Sequence, residues 1–284
     1  MTKVLIPDPL HVQDSIAHFV ADGKEHFHVV ADFDRTLTKA FVDGKPRLSL
    51  ESILEQEGYL GPEYTEKSKI NFDKYYPIEQ DPTIPLEEKK KAMHEWRTRQ
   101  FAVMLEAGLT RNIIKKAMTS KMIIFRLWYE IFFDLLKNNN VPLLIFSASG
   151  LWYEAIYYCL ENKNKLSDNI DIISNAFVRD EDGKAIAIKE PIIHSFNKGE
   201  TVVKDSPIYE EIKERKNILL LGDSLGDVRM ADGFDYENIL KIWFLNNDTP
   251  ENREQFQKKF DILILNDGPM DEVNEILKQI MKSE

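Results

Sequence analysis

Two spacings of hydrophobic residues alternate along the chain. Short apolar runs occur at Phe27–Ala31, Val141–Phe146, Ile170–Ser174, Ile218–Leu221, Ile239–Leu245 and Ile262–Leu265, the pattern of strands buried in a parallel sheet. Between them apolar residues recur every three or four positions, as on amphipathic helices. Pro9–Asp22 carries Val12, Ile16, Phe19 and Val20 on one side and stops at Gly23, and Val273–Met281 closes the chain as a helix. Phe177–Arg179 and Ala185–Ile188, joined through Asp180-Glu181-Asp182-Gly183, read as a β-hairpin. Strands alternating with helices predict an α/β fold whose parallel sheet is covered on both faces.

After Phe41 the pattern changes. Asp43-Gly44 marks a turn, and the stretch from Ser49 to about Ser120 is charged, helical in period and almost free of strand signals, so it reads as a helical insert. Its clearest helix is Pro85–Ala107, with Pro85 at the first position, Glu87 and Glu88 at the positive end of the dipole and Gly108 as the stop. Met93, Trp96, Val103, Met104 and Ala107 form its apolar stripe. Gln100 falls inside that stripe, either at a solvated edge or facing a cavity. Ile123–Asn140 then reads as one amphipathic helix with Phe125, Trp128, Ile131, Phe132 and Leu135 on its apolar side.

The 284 residues suffice for about two domains. A formal net charge of -11 argues against a nucleic-acid partner. It also means that any phosphate substrate must be met by a cation and a lysine. Cys159 is the only cysteine, which excludes an intramolecular disulfide and a cysteine-based zinc site; its place in a helical pattern predicts a buried thiol. No apolar run approaches the roughly 18 residues of a membrane span. Val4-Leu5-Ile6, cut off by Pro7 and Asp8, is too short for a signal peptide. A cytoplasmic location without a membrane partner is therefore expected.

Chemistry gathers where apolar runs end. The first runs into Asp32-Phe33-Asp34-Arg35-Thr36-Leu37-Thr38, and ligands in open α/β sheets bind outside the carboxyl ends of strands. Asp32 there can attack phosphorus to form an acyl phosphate, and Asp34 can move the proton. Taken alone, Asp-x-Asp could be an Asx-type turn. The second run closes in Ser147-Ala148-Ser149-Gly150 ahead of a helix from Leu151, a hydroxyl and amides suited to an anion or simply a helix N-cap. A later run ends in Gly222-Asp223-Ser224-Leu225-Gly226-Asp227, which could be a turn, and Lys198 in the polar stretch His194–Thr201 could be a surface lysine. Together they meet the needs of phosphoryl transfer. Lys198 offers charge to the phosphate oxygens, and Asp32 and Asp223 offer hard oxygen ligands for Mg²⁺.

Asp-x-Asp-x-Thr-Leu, a strand-terminal Ser, a Lys and Gly-Asp-Ser-x-Gly-Asp resemble the four motifs of the haloacid-dehalogenase superfamily of phosphatases. Tyr75-Tyr76-Pro77-Ile78-Glu79-Gln80-Asp81-Pro82, Glu95-Trp96, Phe146-Ser147-Ala148, His194-Ser195-Phe196-Asn197-Lys198 and the stretch Leu221 to Gly233 resemble, more closely, the cytosolic type III (pyrimidine) 5′-nucleotidases. The likeness runs from about Pro9 to the C-terminus. It implies a Rossmann-like core of residues 1–44 and 124–284 with a helical cap domain, 45–123, inserted. It implies Mg²⁺-dependent hydrolysis of nucleoside 5′-monophosphates, pyrimidine or 7-methylguanosine, through an aspartyl-phosphate on Asp32. The Asp34 carbonyl and the carboxylates of Asp32 and Asp223 would hold the metal, with Asp227 in support. Ser147, Ala148, Ser149 and Lys198 would hold phosphate, and Glu79 would contact the base.

Three positions depart from the family's pattern. Ser149 stands where a glycine's backbone freedom is usual, Arg97 replaces an aromatic residue that stacks on the base, and Gln100 replaces a serine that bonds it. Arg97 and Gln100 lie three residues apart on one helix face and can reach one cavity. Arg97 could stack on a base, bind a second anionic group, or extend to solvent. The expected protein is a capped, monomeric phosphatase of small molecules, most simply a 5′-nucleotidase. One alternative is a phosphatase for another small phosphoester. The other is a catalytically silent ligand-binding protein, against which stands the complete set Asp32, Asp34, Lys198 and Asp223.

Overall fold

The computed structural model describes residues 3–47, 49–81, 83–150, 152–199 and 208–282. Its strands are β1 (Val4–Leu5), β2 (Phe27–Ala31), β3 (Phe41–Val42), β4 (Lys45–Pro46), β5 (Leu143–Phe146), β6 (Ile170–Ile173), β7 (Phe177–Arg179), β8 (Ala185–Ile188), β9 (Asn217–Gly222), β10 (Asn238–Leu245) and β11 (Ile262–Leu265). The helices are α1 (Pro9–Asp22), α2 (Ser52–Gln56), α3 (Gly61–Gln80), α4 (Leu86–Glu106), α5 (Arg111–Ala117), α6 (Tyr129–Asn138), α7 (Trp152–Asn162), α8 (Tyr209–Ile212), α9 (Pro250–Phe256) and α10 (Asp271–Met281). Among the described residues, no helix is long and apolar enough to cross a membrane.

Seven strands make one sheet in the order β1-β11-β10-β9-β2-β5-β6, with β3–β4 and β7–β8 as separate hairpins. Every pairing in the large sheet is parallel except β1 against β11. The apolar runs are continuous because successive residues feed opposite faces. Val29, Ala31, Leu143, Ile145, Leu219 and Leu221 join one buried cluster, whereas Val30, Leu144, Phe146, Ile218 and Leu220 join the other. Ala31 pairs with both Ile145 and Leu221, so β2, β5 and β9 finish nearly level. Since β2 lies between β5 and β9, this is the switch point at which such sheets bind ligands.

The segment from α2 to α5 is helical, as its periodicity predicts. Lys67 pairs with Glu106, Asn71 bonds Gln100 and Lys74 pairs with Glu95, which makes α3 and α4 an antiparallel pair. Its far end has a small core of its own, Tyr75, Met93 and Trp96, with Tyr75 and Trp96 stacked at 6.0 Å. Its near end is fused to the main core. Phe101, Met104, Leu109 and Ile114 belong to the same buried cluster as the sheet, Phe101 meets Phe177 edge-on at 6.0 Å, and Thr110 forms a β-bridge with Lys184.

The largest correction to the sequence-based expectation concerns Ile123–Asn140. Helix α6 starts only at Tyr129, after Trp128 in the left-handed region at φ 67°. Before it the chain is extended: Phe125 forms a β-bridge with Thr38, and Lys39 N–H donates to the Ile124 carbonyl. Trp128 and Ile131, assigned to the apolar side, are 55% and 38% exposed, and the buried stripe is Phe132, Phe133 and Leu136. Cys159 is buried, with its thiol 3.4 Å from the Met118 sulfur. The expected helix start at Leu151 and the end of the 194–201 stretch fall outside the described residues.

Candidate active site

The ladder between β2 and β9 runs one residue past β2, because Asp32 N–H donates to the Leu221 carbonyl at 3.0 Å. The chain then turns sharply. The amides of Leu37 and Thr38 both donate to the Phe33 carbonyl, Arg35 takes a left-handed φ of 62°, and its N–H reaches Thr38 Oγ1 at 2.9 Å. Asp34 Oδ1 accepts from Leu50 N–H at 3.0 Å, so this carboxylate faces the entry to the helical segment.

Lys198 arrives from the loop after β8 and is 3% exposed. Its Nζ donates to Asp32 Oδ1 at 2.5 Å and Asp227 Oδ1 at 2.7 Å. The loops carrying Lys198 and Asp227 approach closely: a Cβ on Gly226 would lie 2.4 Å from the Ser195 carbonyl oxygen, so glycine is required there. Asp227 Oδ2 accepts from the amides of Asp223 and Ser224 at 3.3 and 3.0 Å and from Ser224 Oγ at 2.8 Å. Asp223 Oδ2 lies 3.3 Å from Arg35 Nε and 3.5 Å from Asn246 Nδ2.

At the end of β5, Ser147 N–H donates to Ile173 O at 2.9 Å, and Ser149 N–H donates to Ser147 Oγ at 3.1 Å. Ser149 is not among the residues with a left-handed φ, so serine in place of glycine brings no backbone strain here. Buried Asn175 holds this loop to the next: its amide donates to Ser149 O and Ile193 O at 3.4 and 3.0 Å and accepts from Ile193 N–H at 2.7 Å.

The electrostatics follow from crowding carboxylates in a dry place. Burial pushes Asp32 up to about 7, helped by Asp227 and Asp223 and opposed by Lys198. Burial and then Asp32 push Asp34 up to about 7. Burial also lifts Asp223 to about 6, with Arg35 opposing. For Asp227 burial acts upward too, but Lys198 holds it below the ordinary carboxylate range. Lys198 is the mirror case: burial works against its charge, and Asp227 and Asp32 keep it above the usual range. Four carboxylates thus face Lys198 and Arg35, with Arg126 acting on Asp223 from behind. A divalent cation fits this imbalance, and Asp32, Asp223 and Asp227 each offer a carboxylate oxygen within 4.8 Å of the others. Both oxygens of Asp227 are already engaged, one by Lys198 and one by the 223–224 amides.

The helical segment roofs this floor. Glu79 accepts a hydrogen bond from Ser195 Oγ, and Lys89 donates to the Glu79 carbonyl at 2.8 Å while lying 5.3 Å over Phe196. Arg97 pairs with Glu51 at 3.1 Å and sits 5.2 Å over its neighbour Trp96. Glu51 in turn presses on the loop after β5, since a Cβ on Gly150 would lie 2.4 Å from its Oε2. Gln100 is turned inward and 2% exposed: its amide donates to Ser68 Oγ and, at 3.4 Å, to Tyr64 OH, and accepts from Asn71 at 3.2 Å. The fold therefore gathers Asp32, Asp223, Asp227 and Lys198, sets Ser147 to Ser149 at the adjacent strand end, and brings Glu79 to the Lys198 loop. It turns Arg97 to Glu51 and Gln100 into the α3–α4 interface.

Sequence reasoning missed Glu51, Asn175, Arg126 and Asn246. A signal existed for Arg126, the lone charge in the apolar run Met122–Trp128. The others carry no local mark.

A model of the pyrimidine 5′-nucleotidase (UMPH-1) family matches residues 35–281. The chain is similar to 7-methylguanosine phosphate-specific 5′-nucleotidase A of Xenopus laevis, at 35% identity over 276 residues, covering 97% of this chain and 94% of the relative. It is also similar to the crystal structure of cytosolic 5′-nucleotidase IIIB bound to cytidine, with a TM-score of 0.86 at 30% identity, covering 99% of this chain and 94% of that one. A phospho-aspartyl intermediate analogue of phosphoserine phosphatase shares the fold, with a TM-score of 0.51 at 20% identity over 88% of this chain and 97% of that one.

Proposed function

This chain belongs to the pyrimidine 5′-nucleotidase family, and from that premise we propose that Asp32 is the nucleophile and Asp34 the proton carrier in hydrolysis of pyrimidine or 7-methylguanosine 5′-monophosphates. The chain is a hydrolase of phosphoric monoesters. The observation that carries the residue assignment is the buried trio of Lys198 between Asp32 and Asp227. An Asp32 oxygen attacks phosphorus as the bond to the nucleoside 5′-oxygen breaks, and Asp34 gives that oxygen its proton. Water then surrenders a proton to Asp34 while its oxygen attacks the phosphorus of the acyl phosphate, which frees inorganic phosphate and restores the Asp32 carboxylate and the protonated Asp34. Lys198 steadies the charge on the phosphoryl oxygens, and Ser147 with the amides of Ala148 and Ser149 orients them. The carboxylates of Asp32 and Asp223 and the carbonyl of Asp34 would hold Mg²⁺, supported by Asp227. When bound, it supplies the positive charge that lets carboxylates stand against a phosphate.

Residues 45–123 act as the cap domain over a core of 1–44 and 124–284. Glu79, an acceptor without a donor while ionised, suits bases that present an N–H. The setting is the cytoplasm and the working unit a monomer. The test is phosphate release from CMP, UMP, 7-methyl-GMP and a non-nucleotide phosphoester, with Mg²⁺ or with EDTA. At least one nucleotide should be hydrolysed, EDTA should stop the reaction, and Asp32→Asn should cut turnover by several orders of magnitude. Near-full activity of Asp32→Asn would sink the mechanism. Cleavage of the non-nucleotide alone would favour the second reading, a phosphatase of another small phosphoester, which the Arg97–Glu51 pair over Gly150 supports.

A further inference from the structure

Arg126 is fully buried, and the side-chain and backbone acceptors its guanidinium bonds are none of the groups assigned above to substrate. All five of its N–H donors have a partner. Nε donates to Thr36 O at 2.6 Å, Nη1 to Gly268 O at 2.7 Å and Asp267 Oδ1 at 2.9 Å, and Nη2 to Arg35 O and to Asn246 Oδ1 at 2.7 Å. The Phe244 ring lies beneath the guanidinium at 3.9 Å. Two of these acceptors are the carbonyls directly after Asp34. A third, Asn246, uses its own amide to hold Arg35 O at 3.0 Å and to reach Asp223 Oδ2 at 3.5 Å. The single charged partner, Asp267, also accepts from the amides of Ala40 and Phe41 at 2.8 and 3.2 Å, where the chain leaves for the helical segment. Arg126 itself lies where the chain returns, and its N–H donates to Leu37 O at 3.1 Å. One guanidinium therefore joins the turn after the nucleophile, both crossings to the helical segment and the Asp223 strand end.

We propose that Arg126 is a positioning residue of the phosphatase reaction, fixing through the carbonyls of Arg35 and Thr36 and through Asn246 the relative placement of Asp32, Asp34 and Asp223. This rests on the assignment of those three aspartates to nucleophile, proton carrier and metal ligands. Side chains that orient ligands from behind commonly govern metal affinity and rate by about 10–100-fold. Lysine keeps the charge but supplies three donors from one point rather than five from a planar fork.

The test uses the full chain as wild type, Arg126→Lys and Asn246→Ala. It reads kcat and KM on the best nucleotide of the panel, and the Mg²⁺ dissociation constant by calorimetry without substrate. Both variants should lower kcat by about 10–100-fold, raise the Mg²⁺ dissociation constant by about tenfold and leave KM within about twofold. Variants that melt earlier yet keep wild-type kcat and Mg²⁺ affinity would reduce Arg126 to a packing residue and overturn the proposal. If Arg126→Lys does not fold, Asn246→Ala decides alone, and wild-type values there overturn it. A wild type that neither binds Mg²⁺ nor cleaves any phosphoester would overturn the assignment of the aspartates and the proposal with it.

Discussion

At the floor of the site, Lys198 touches two carboxylates, Asp227 is held by two amides and a hydroxyl, and nearly every group comes from a loop at a strand end. At the roof, Arg97 looks to Glu51, Gln100 looks into its own helix pair, and one hydrogen bond from Ser195 reaches Glu79. Floor groups are cross-linked to one another and to the sheet, so none can change without exposing a buried charge. Roof groups are paired locally and can be exchanged in sets. On the proposed function, the first arrangement would carry the chemistry and the second would set the choice of substrate.

The contrast can be broken most sharply at Lys198. Lys198→Met removes the charge proposed to meet the phosphoryl oxygens and should lower kcat by about 10²–10³-fold, with a much smaller rise in KM. Steady-state kinetics would refute this by returning a large KM change at constant kcat. A smaller effect is expected at Arg97. Arg97→Ala leaves the Glu51 carboxylate uncompensated beside Gly150, where a dianionic phosphate should dock. KM should rise about 3- to 10-fold on every substrate, roughly the size of 1 kcal/mol. Adding Glu51→Gln should restore it, and if the double variant stays as weak as the single, the ion pair is not what governs docking. The smallest kinetic effect belongs to Gln100. Gln100→Ala strands Asn71 and Tyr64 and should cost about 1–3 kcal/mol of stability, with the kcat/KM ratios across the nucleotide panel unchanged. A shifted ratio without a change in melting would instead put its amide on the substrate.

The strands and the floor were legible in the sequence because their signals are local. A run such as Phe27–Ala31 needs no partner to be recognised, and an aspartate buried at its end needs a counter-charge, which Asp32 has in Lys198. The stretch Ile123–Trp128 misled for the opposite reason. Its spacing fits a helix, but Phe125 packs edge-on against Phe33 at 5.8 Å from an extended backbone, and the five acceptors of Arg126 are distributed over residues 35, 36, 246, 267 and 268. Glu51 and Asn175 were invisible for the same cause, since each acts on residues tens or more positions away. Gln100 was visible as a polar break in an apolar stripe, yet only its neighbours on α3 reveal that the break is a brace.

The fusion of the roof's near end to the sheet bears on how substrate enters and product leaves. Because Phe101 is seated on Phe177 and Thr110 is bridged to Lys184, the near end of the roof is tied to the core, and the tips of α3 and α4 meet it separately at the Lys198 loop. Among the contacts that meet those tips at the Lys198 loop are the Ser195–Glu79 hydrogen bond and the Lys89–Phe196 contact, each worth about 0.5–3 kcal/mol. On the proposed function, substrate and product would pass where these contacts part, with the roof still anchored at its near end, so that access is governed at the two helix tips and not at the joint with the sheet.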